Sequence, residues 1–111
     1  NLRGKTLTDE NVLVSSALLI LGRSLMQQNR LAEAEMTLRE CLELRTKNLP
    51  SGHWVLATTN SILGECMMLQ NQKQIGKRLL LESYATLKEK LGPDHVQTRT
   101  AADRITKFIG N

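Results

Sequence analysis

The sequence predicts an all-α fold built from antiparallel helix pairs that repeat along the chain. A five-residue segment that starts with leucine occurs three times at a separation of 42 residues: residues 7–11 (LTDEN), 49–53 (LPSGH) and 91–95 (LGPDH). Between these segments, apolar residues recur every three or four positions, which is the spacing of one helical face. No alternation of apolar and polar residues indicates a strand. Because a fixed period of this length is typical of repeat proteins, we expect about five helices in one stack.

Matches at the same offset extend well beyond the turn segment. The leucine-glycine pair at 21–22 recurs at 63–64, and the third unit carries Ile105 at the leucine position. Further matched pairs include Met26 with Met68, Gln28 with Gln70, Asn29 with Asn71, Leu38 with Leu80 and Glu40 with Glu82. So many aligned positions favour a repeated building block over coincidence.

Each unit is predicted to contain two helices. In the first helix, Val14, Leu18, Leu21 and Leu25 advance by four, three and four positions. The second helices carry Leu31, Ala34, Leu38 and Cys41 in one unit and Gly76, Leu80, Ser83 and Leu87 in the other, with the small residues Ala34 and Gly76 allowing close approach. Asn29 and Asn71 suit the left-handed conformation at a helix C-terminus. The predicted helices span residues 11–28, 31–47, 53–70, 73–91 and 94–109.

Length and composition predict a single soluble domain. The chain has 111 residues, of which 41% are hydrophobic and 23% charged, with a net charge of +4. We divide it into residues 1–10 (the tail of a preceding helix and a loop), 11–52 (repeat one), 53–94 (repeat two) and 95–111 (the first helix of a truncated repeat, or a cap). The absence of an initiator methionine and of a signal-peptide pattern suggests a fragment of a longer protein.

Several classes of function are disfavoured by the same data. The longest apolar run, residues 17–21, is far shorter than the roughly 20 residues of a membrane span. Basic residues are interspersed with acidic ones, and the basic group at Lys73, Lys77 and Arg78 lacks the interleaved aromatic residues of a single-stranded nucleic-acid surface. We therefore expect neither a membrane nor a nucleic-acid partner. Cys41 and Cys66 fall within apolar helical patterns, which favours buried thiols and a reduced, cytoplasmic setting.

No pattern indicates catalysis, a cofactor or a metal site. The sequence contains no phosphate-binding glycine loop, no HExxH and no GxSxG motif. His53 and His95 occupy the same turn of their units, so a role at the helix start is preferred over metal binding. Trp54 follows that turn and is either a packing residue or a peptide anchor, with packing preferred. We predict that the chain is not an enzyme.

The residues of the first unit resemble the tetratricopeptide repeat (TPR). Leu21-Gly22, then residues 29–35 (NRLAEAE), then Leu38 and Cys41 are similar to its pattern of alternating small and bulky residues. The 42-residue period and the LGPDH segment resemble the lengthened repeats of kinesin light chains and of related bacterial and signalling proteins. The resemblance implies a right-handed α-α superhelix. Two departures are Lys73 to Lys77, where the family has an aromatic residue and an acidic-alanine-acidic run, and Asn60, where an apolar residue is expected. For Asn60 we expect a satisfied hydrogen bond or a small helix rotation.

The resemblance also implies where a partner would bind. In the family, the first helix of each repeat lines a concave groove that holds a peptide. Carried over by register, the partner-binding residues are Ser16, Leu19, Arg23, Met26 and Gln27 in repeat one, Thr58, Ser61, Glu65, Met68 and Leu69 in repeat two, and Thr100, Asp103 and Lys107 in the terminal helix. Arg23, Glu65 and Lys107 are equivalent positions, so we expect a groove of alternating charge that reads an acidic or mixed-charge peptide.

Two alternatives to a peptide-binding module remain open. In the first alternative, the chain is a structural or oligomerising spacer. It would then associate with itself through exposed repeat ends at Leu2 and at Ile105, Phe108 and Ile109. In the second alternative, the chain is the regulatory TPR region of a larger signalling protein such as a kinase, and the catalytic residues would lie in another domain.

Overall fold

The computed structural model describes the backbone of residues 7–110 and the side chains of residues 10–110. The described residues contain five helices and no strand: α1 (Leu7–Gln27), α2 (Leu31–Asn48), α3 (Trp54–Leu69), α4 (Lys73–Leu91) and α5 (Val96–Phe108). Each helix packs against the next, and α3 also contacts both α1 and α5. The predicted all-α helical-repeat fold is confirmed, with α1 and α2 as one pair, α3 and α4 as the second, and α5 alone.

The main departure from the predicted helices lies at the start of α1. Residues 7–10 were assigned to a loop, whereas the structure places them in α1. The other two copies of the segment contain glycine, and Gly52 and Gly92 have φ of 82° and 90°. Residues 8–10 (TDE) contain neither glycine nor proline, so nothing interrupts the helix there. Of the predicted tail of a preceding helix at residues 1–7, residues 1–6 lie outside the described residues.

The short turn within each pair forms as predicted. Asn29 and Asn71 have φ of 62° and 66°, the left-handed region that asparagine tolerates. After α1, the amide of Arg30 donates to the carbonyl of Leu25 at 2.9 Å and the amide of Asn29 donates to that of Met26 at 2.9 Å. This pair of hydrogen bonds is a Schellman motif, which satisfies carbonyls that the helix end leaves without partners.

The two histidines cap the helices that follow them. The Nδ1 atom of His53 accepts a hydrogen bond from the amide of Val55 at 3.0 Å, and Nδ1 of His95 accepts one from the amide of Gln97 at 3.1 Å. Both residues have extended backbone angles, as N-cap residues require. The predicted role of His53 and His95 at the helix start is confirmed.

Replacing His53 with alanine is expected to lower the free energy of unfolding by about 1 kcal/mol, because the amide of Val55 loses its acceptor. The change is measured by urea denaturation monitored by circular dichroism. His53→Asn is the matched control, since asparagine is a strong N-cap residue and should retain most of the stability. An asparagine variant as unstable as the alanine variant would contradict the capping role.

The core consists of two clusters. The first lies between α1, α2 and α3 and comprises Leu25, Ala34, Leu38, Ile62, Leu63, Cys66 and Met67. The second lies between α3, α4 and α5 and comprises Ala57, Leu87 and Ala101, with Trp54, Tyr84 and Leu91 packed against them. The packing role of Trp54, preferred from the sequence, is thus confirmed.

Small residues allow the helices of each pair to approach closely. A Cβ atom at Gly22 would lie 2.6 Å from Cδ2 of Leu38, and one at Gly76 would lie 2.6 Å from Sδ of Met68. Ala34 is fully buried at the crossing of α1 and α2. The predicted contribution of Ala34 and Gly76 to helix crossing is confirmed, and Gly22 contributes in the same way.

Both cysteines are buried free thiols. The Cys41 thiol donates to the carbonyl of Ser15 at 3.1 Å, and the Cys66 thiol lies 3.6 Å from the carbonyl of Leu31. Burial raises the pKa of each thiol, because the charged thiolate is poorly solvated. Both behave as small hydrophobic residues, as the sequence predicts.

Asn60 is less buried than its position in the repeat suggested. Its side chain is half-buried and lines an open cleft between α3 and α4, together with Leu79 and Glu82. Contact with water removes the need for a protein partner. Within the described residues, no helix combines the length and the apolar character that crossing a membrane demands.

Candidate functional site

A cavity of about 170 Å³ lies between α1 and α3. Its walls are formed by Arg23, Met26 and Gln27 from α1 and by Ile62, Glu65 and Leu69 from α3. Positions 23 and 65, and positions 27 and 69, are separated by one 42-residue period, so equivalent faces of successive first helices border the cavity. Five residues that the groove prediction named are therefore brought together.

The other predicted residues of α1 are placed elsewhere. Leu19 is half-buried against the first core cluster. Ser16 lines a separate cavity, described below, that also contains Arg45. Neither side chain borders the cavity around Arg23.

Predicted residues of α3 and α5 also differ in their accessibility. Ser61 is fully buried, and Met68 is half-buried against Gly76 in the crossing of α3 and α4. The half-buried Thr58 and Thr100 hydroxyls donate to backbone carbonyls of their own helices. Asp103 and Lys107 are exposed on α5. The Nζ atom of Lys107 lies 5.1 Å from the centre of the Phe108 ring, a cation–π contact.

An ion pair joins α3 to α5 at the edge of the cavity. Nε of Arg104 donates to Oε1 of Glu65 at 2.9 Å, and Nη1 of Arg104 donates to Oγ of Ser61 at 3.1 Å. The side chains of Arg104 and Glu65 are only 13% and 22% exposed, so water screens the pair weakly. The carboxylate of Glu65 is thus neutralised by the protein itself.

Arg23 is in a different electrostatic position. Its side chain is exposed, and within the described residues no carboxylate lies within 4 Å of its guanidinium group. A ligand in this cavity would meet the uncompensated charge of Arg23 beside a neutralised Glu65. The expectation of a groove with alternating charge is therefore corrected, because the negative charge of Glu65 is paired with Arg104.

A second polar link joins α2 to α3 near the same end of the helices. Oε1 of Glu35 accepts from Nε2 of Gln70 at 2.9 Å, and Oε2 accepts from Nε of Arg39 at 2.8 Å. The hydrogen bond from Gln70, followed by the one from Arg39, lowers the pKa of the Glu35 carboxyl group. Glu35 therefore helps to fix α3, on which half of the cavity wall lies.

Two arginines that the groove prediction did not include organise the polar contacts. Arg104 is equivalent to Ile62 and Ile20 at the 42-residue offset, and Arg45 is equivalent to Leu87. A cation at a position that is apolar in the other repeats needs a polar partner if it is partly buried. That contrast was the available signal in the sequence.

The described residues contain no cluster of three or more histidine, cysteine, aspartate or glutamate side chains arranged to hold a metal ion. The six residues that line the cavity between α1 and α3 include neither a histidine nor a hydroxyl or thiol nucleophile. The arrangement is suited to contacts with a ligand through charge, amide hydrogen bonds and apolar surface.

Repeated helix pairs, with a cavity between equivalent first helices, define the class as a helical-repeat protein. Residues 14–54 match the family model described as a tetratricopeptide repeat. The matched segment covers about one 42-residue period, and over that segment the resemblance seen in the sequence is confirmed. No curated protein and no solved structure matched the chain.

Proposed function

We propose that this chain is a non-catalytic protein-interaction module that binds an acidic peptide segment in the groove between α1 and α3. Tetratricopeptide repeats are commonly modules of protein–protein interaction, and residues 14–54 match that family. The observation that carries the proposal is the uncompensated Arg23 in a cavity whose acidic residue, Glu65, is bound by Arg104.

Charge and apolar surface together support this class of ligand. Arg23 offers a planar guanidinium that matches a carboxylate in a two-point hydrogen bond. Met26 and the exposed Leu69 lie beside it and provide adaptable apolar contact. Gln27 adds an amide that can donate to or accept from a peptide backbone. Lys107, further along α5, would extend the cationic character of the groove.

Reversing the charge at position 23 tests the groove. Arg23→Glu is expected to weaken the binding of a fluorescein-labelled peptide of mixed glutamate and leucine by about tenfold or more, because attraction is replaced by repulsion. Binding is measured by fluorescence anisotropy at low and high salt, and folding by circular dichroism. Arg78→Glu, an exposed arginine on α4, is the matched control and should bind almost normally. Equal losses for the two variants would instead indicate non-specific attraction to net positive charge.

A structural spacer that associates with itself is the second candidate. It is supported by exposed apolar side chains on α1, with Leu13, Ile20 and Leu21 exposed by 58%, 70% and 48%. At the other end Ile105, Phe108 and Ile109 are half-buried, while Leu2 lies outside the described residues.

Self-association predicts a dimer in sedimentation equilibrium at high protein concentration. Ile20→Lys should shift the chain to monomer, because a charge then replaces an apolar side chain of α1 that is 70% exposed. Arg23→Glu should leave the association state unchanged. A monomer at all concentrations in the unmodified chain would remove this candidate. We place either function in the cytoplasm, an assignment supported by the two buried free thiols.

A further inference from the structure

A second cavity, of about 330 Å³, lies where α1, α2 and α3 meet around Arg45. Its apolar wall is formed by Val12, Leu44, Leu49 and Val55. Its polar lining comprises Asn11, Ser15, Ser16, Arg45 and Asn48. The volume falls at the lower end of the roughly 300–1,000 Å³ that is typical of small-molecule pockets.

The Arg45 guanidinium is held in place by two hydroxyl groups. Nη1 donates to Oγ1 of Thr59 at 2.8 Å, and Nε donates to Oγ of Ser15 at 3.4 Å. Each hydroxyl donates its own proton to a helix carbonyl, Ser15 to Val12 and Thr59 to Val55, so both oxygens are left to accept from Arg45. Arg45 is therefore oriented by neutral partners.

Part of the guanidinium remains available to a ligand. Within the described residues, Nη2 of Arg45 has no hydrogen-bond acceptor, and no carboxylate lies within 4 Å of the side chain. No buried side-chain nitrogen or oxygen in this part of the chain lacks a partner. Nη2 is consequently accessible from outside the protein.

In the second repeat, the positions equivalent to the Arg45 cavity are filled by packed apolar residues. Ser15, Arg45 and Thr59 become Ala57, Leu87 and Ala101 at the 42-residue offset. Those three residues are buried and form the second core cluster. Val12 and Leu49 become Trp54 and Leu91, both packed against that cluster. The repeat is therefore stabilised without a cation or a cavity at this point, and packing alone does not account for Arg45.

We propose that the Arg45 cavity binds a small organic carboxylate with a short apolar chain. The accessible face of Arg45 would receive the carboxylate in a charge-assisted hydrogen bond, which is stronger than one between neutral groups. Val12, Leu44, Leu49 and Val55 would contact the chain. The site is separate from the groove at Arg23, about two turns further along α1, and it does not depend on peptide binding there.

Titration with hexanoate, followed in ¹⁵N-labelled protein by amide chemical shifts, tests the proposal. We expect saturable shifts centred on Ser15, Arg45 and Val55, with a Kd on the order of 1 mM for so small a ligand. 1-Hexanol, which has the same chain without the charge, should bind at least about tenfold more weakly. Shifts confined to exposed apolar residues of α1, or equal affinity for hexanol, would overturn the proposal.

Two variants separate ligand binding from folding. Arg45→Leu copies the residue of the second repeat and should raise the Kd for hexanoate by at least about tenfold while the chain remains folded. Val12→Trp copies Trp54 and should fill the cavity from a position that is half-exposed, so hexanoate should no longer produce the shifts. Arg23→Met is the control and should bind hexanoate normally. Unchanged hexanoate binding in a folded Arg45→Leu or Val12→Trp chain would refute the site.

Discussion

Replacing Leu38 with alanine is expected to lower the free energy of unfolding by about 2–5 kcal/mol. Leu38 is completely buried in the first core cluster, and its side chain fills the space left by Gly22 on α1. Both helices of the first repeat are fixed at this crossing. Because the backbones already approach closely, they cannot collapse further, and a cavity should remain.

The loss is measured by urea denaturation, with the midpoint and slope compared with those of the unmodified chain. Met36→Ala is the matched control, since Met36 lies on the same helix, has a side chain of similar size and is 67% exposed. It should change the stability by less than about 0.5 kcal/mol. A comparable loss in both variants would mean that helix propensity or the unfolded state, and not core packing, sets the stability.

Replacing Arg104 with methionine is expected to lower the free energy of unfolding by about 1–3 kcal/mol. The variant leaves the carboxylate of Glu65 without its partner and removes the donor to the buried Ser61 hydroxyl. The pair is partly exposed, so the expected loss is below the roughly 3–5 kcal/mol typical of a fully buried pair that loses one member. The methionine retains much of the apolar contact of the arginine stem.

The same variant has a second readout in the groove. An unpaired Glu65 carboxylate beside Arg23 should weaken binding of the acidic peptide, whereas Arg104→Met/Glu65→Gln should recover part of that affinity. Arg99→Met is the control for both measurements, because Arg99 is exposed on the same helix. If Arg104→Met and Arg99→Met had the same free energy of unfolding, the ion pair between α3 and α5 would contribute nothing to stability.

Both kinds of turn are determined by residues that lie close together in the sequence. Asn29 and Asn71 could be assigned to left-handed positions, and His53 and His95 to helix starts, because each acts through backbone groups a few residues away. The loop predicted at residues 7–10 was wrong for a local reason as well. Its first-repeat copy lacks the glycine and proline that end a helix in the other two copies.

The candidate groove was predictable only in outline. The 42-residue register brought Arg23 together with Glu65, and Gln27 with Leu69, because equivalent faces of first helices lie side by side. Register alone could not show that Ser61 is buried or that Met68 is drawn into the crossing with Gly76, since each depends on how deeply neighbouring helices overlap.

Periodicity and short-range backbone chemistry were sufficient for the number of helices, their pairing and most of their ends. These features depend on residues close in sequence and on a repeated pattern, and both are visible in the sequence alone. The charge that a ligand would meet was decided by tertiary contacts. Arg104 reaches Glu65 from 39 positions away, and Arg45 reaches Thr59 on the next helix, because long side chains select partners by distance in space.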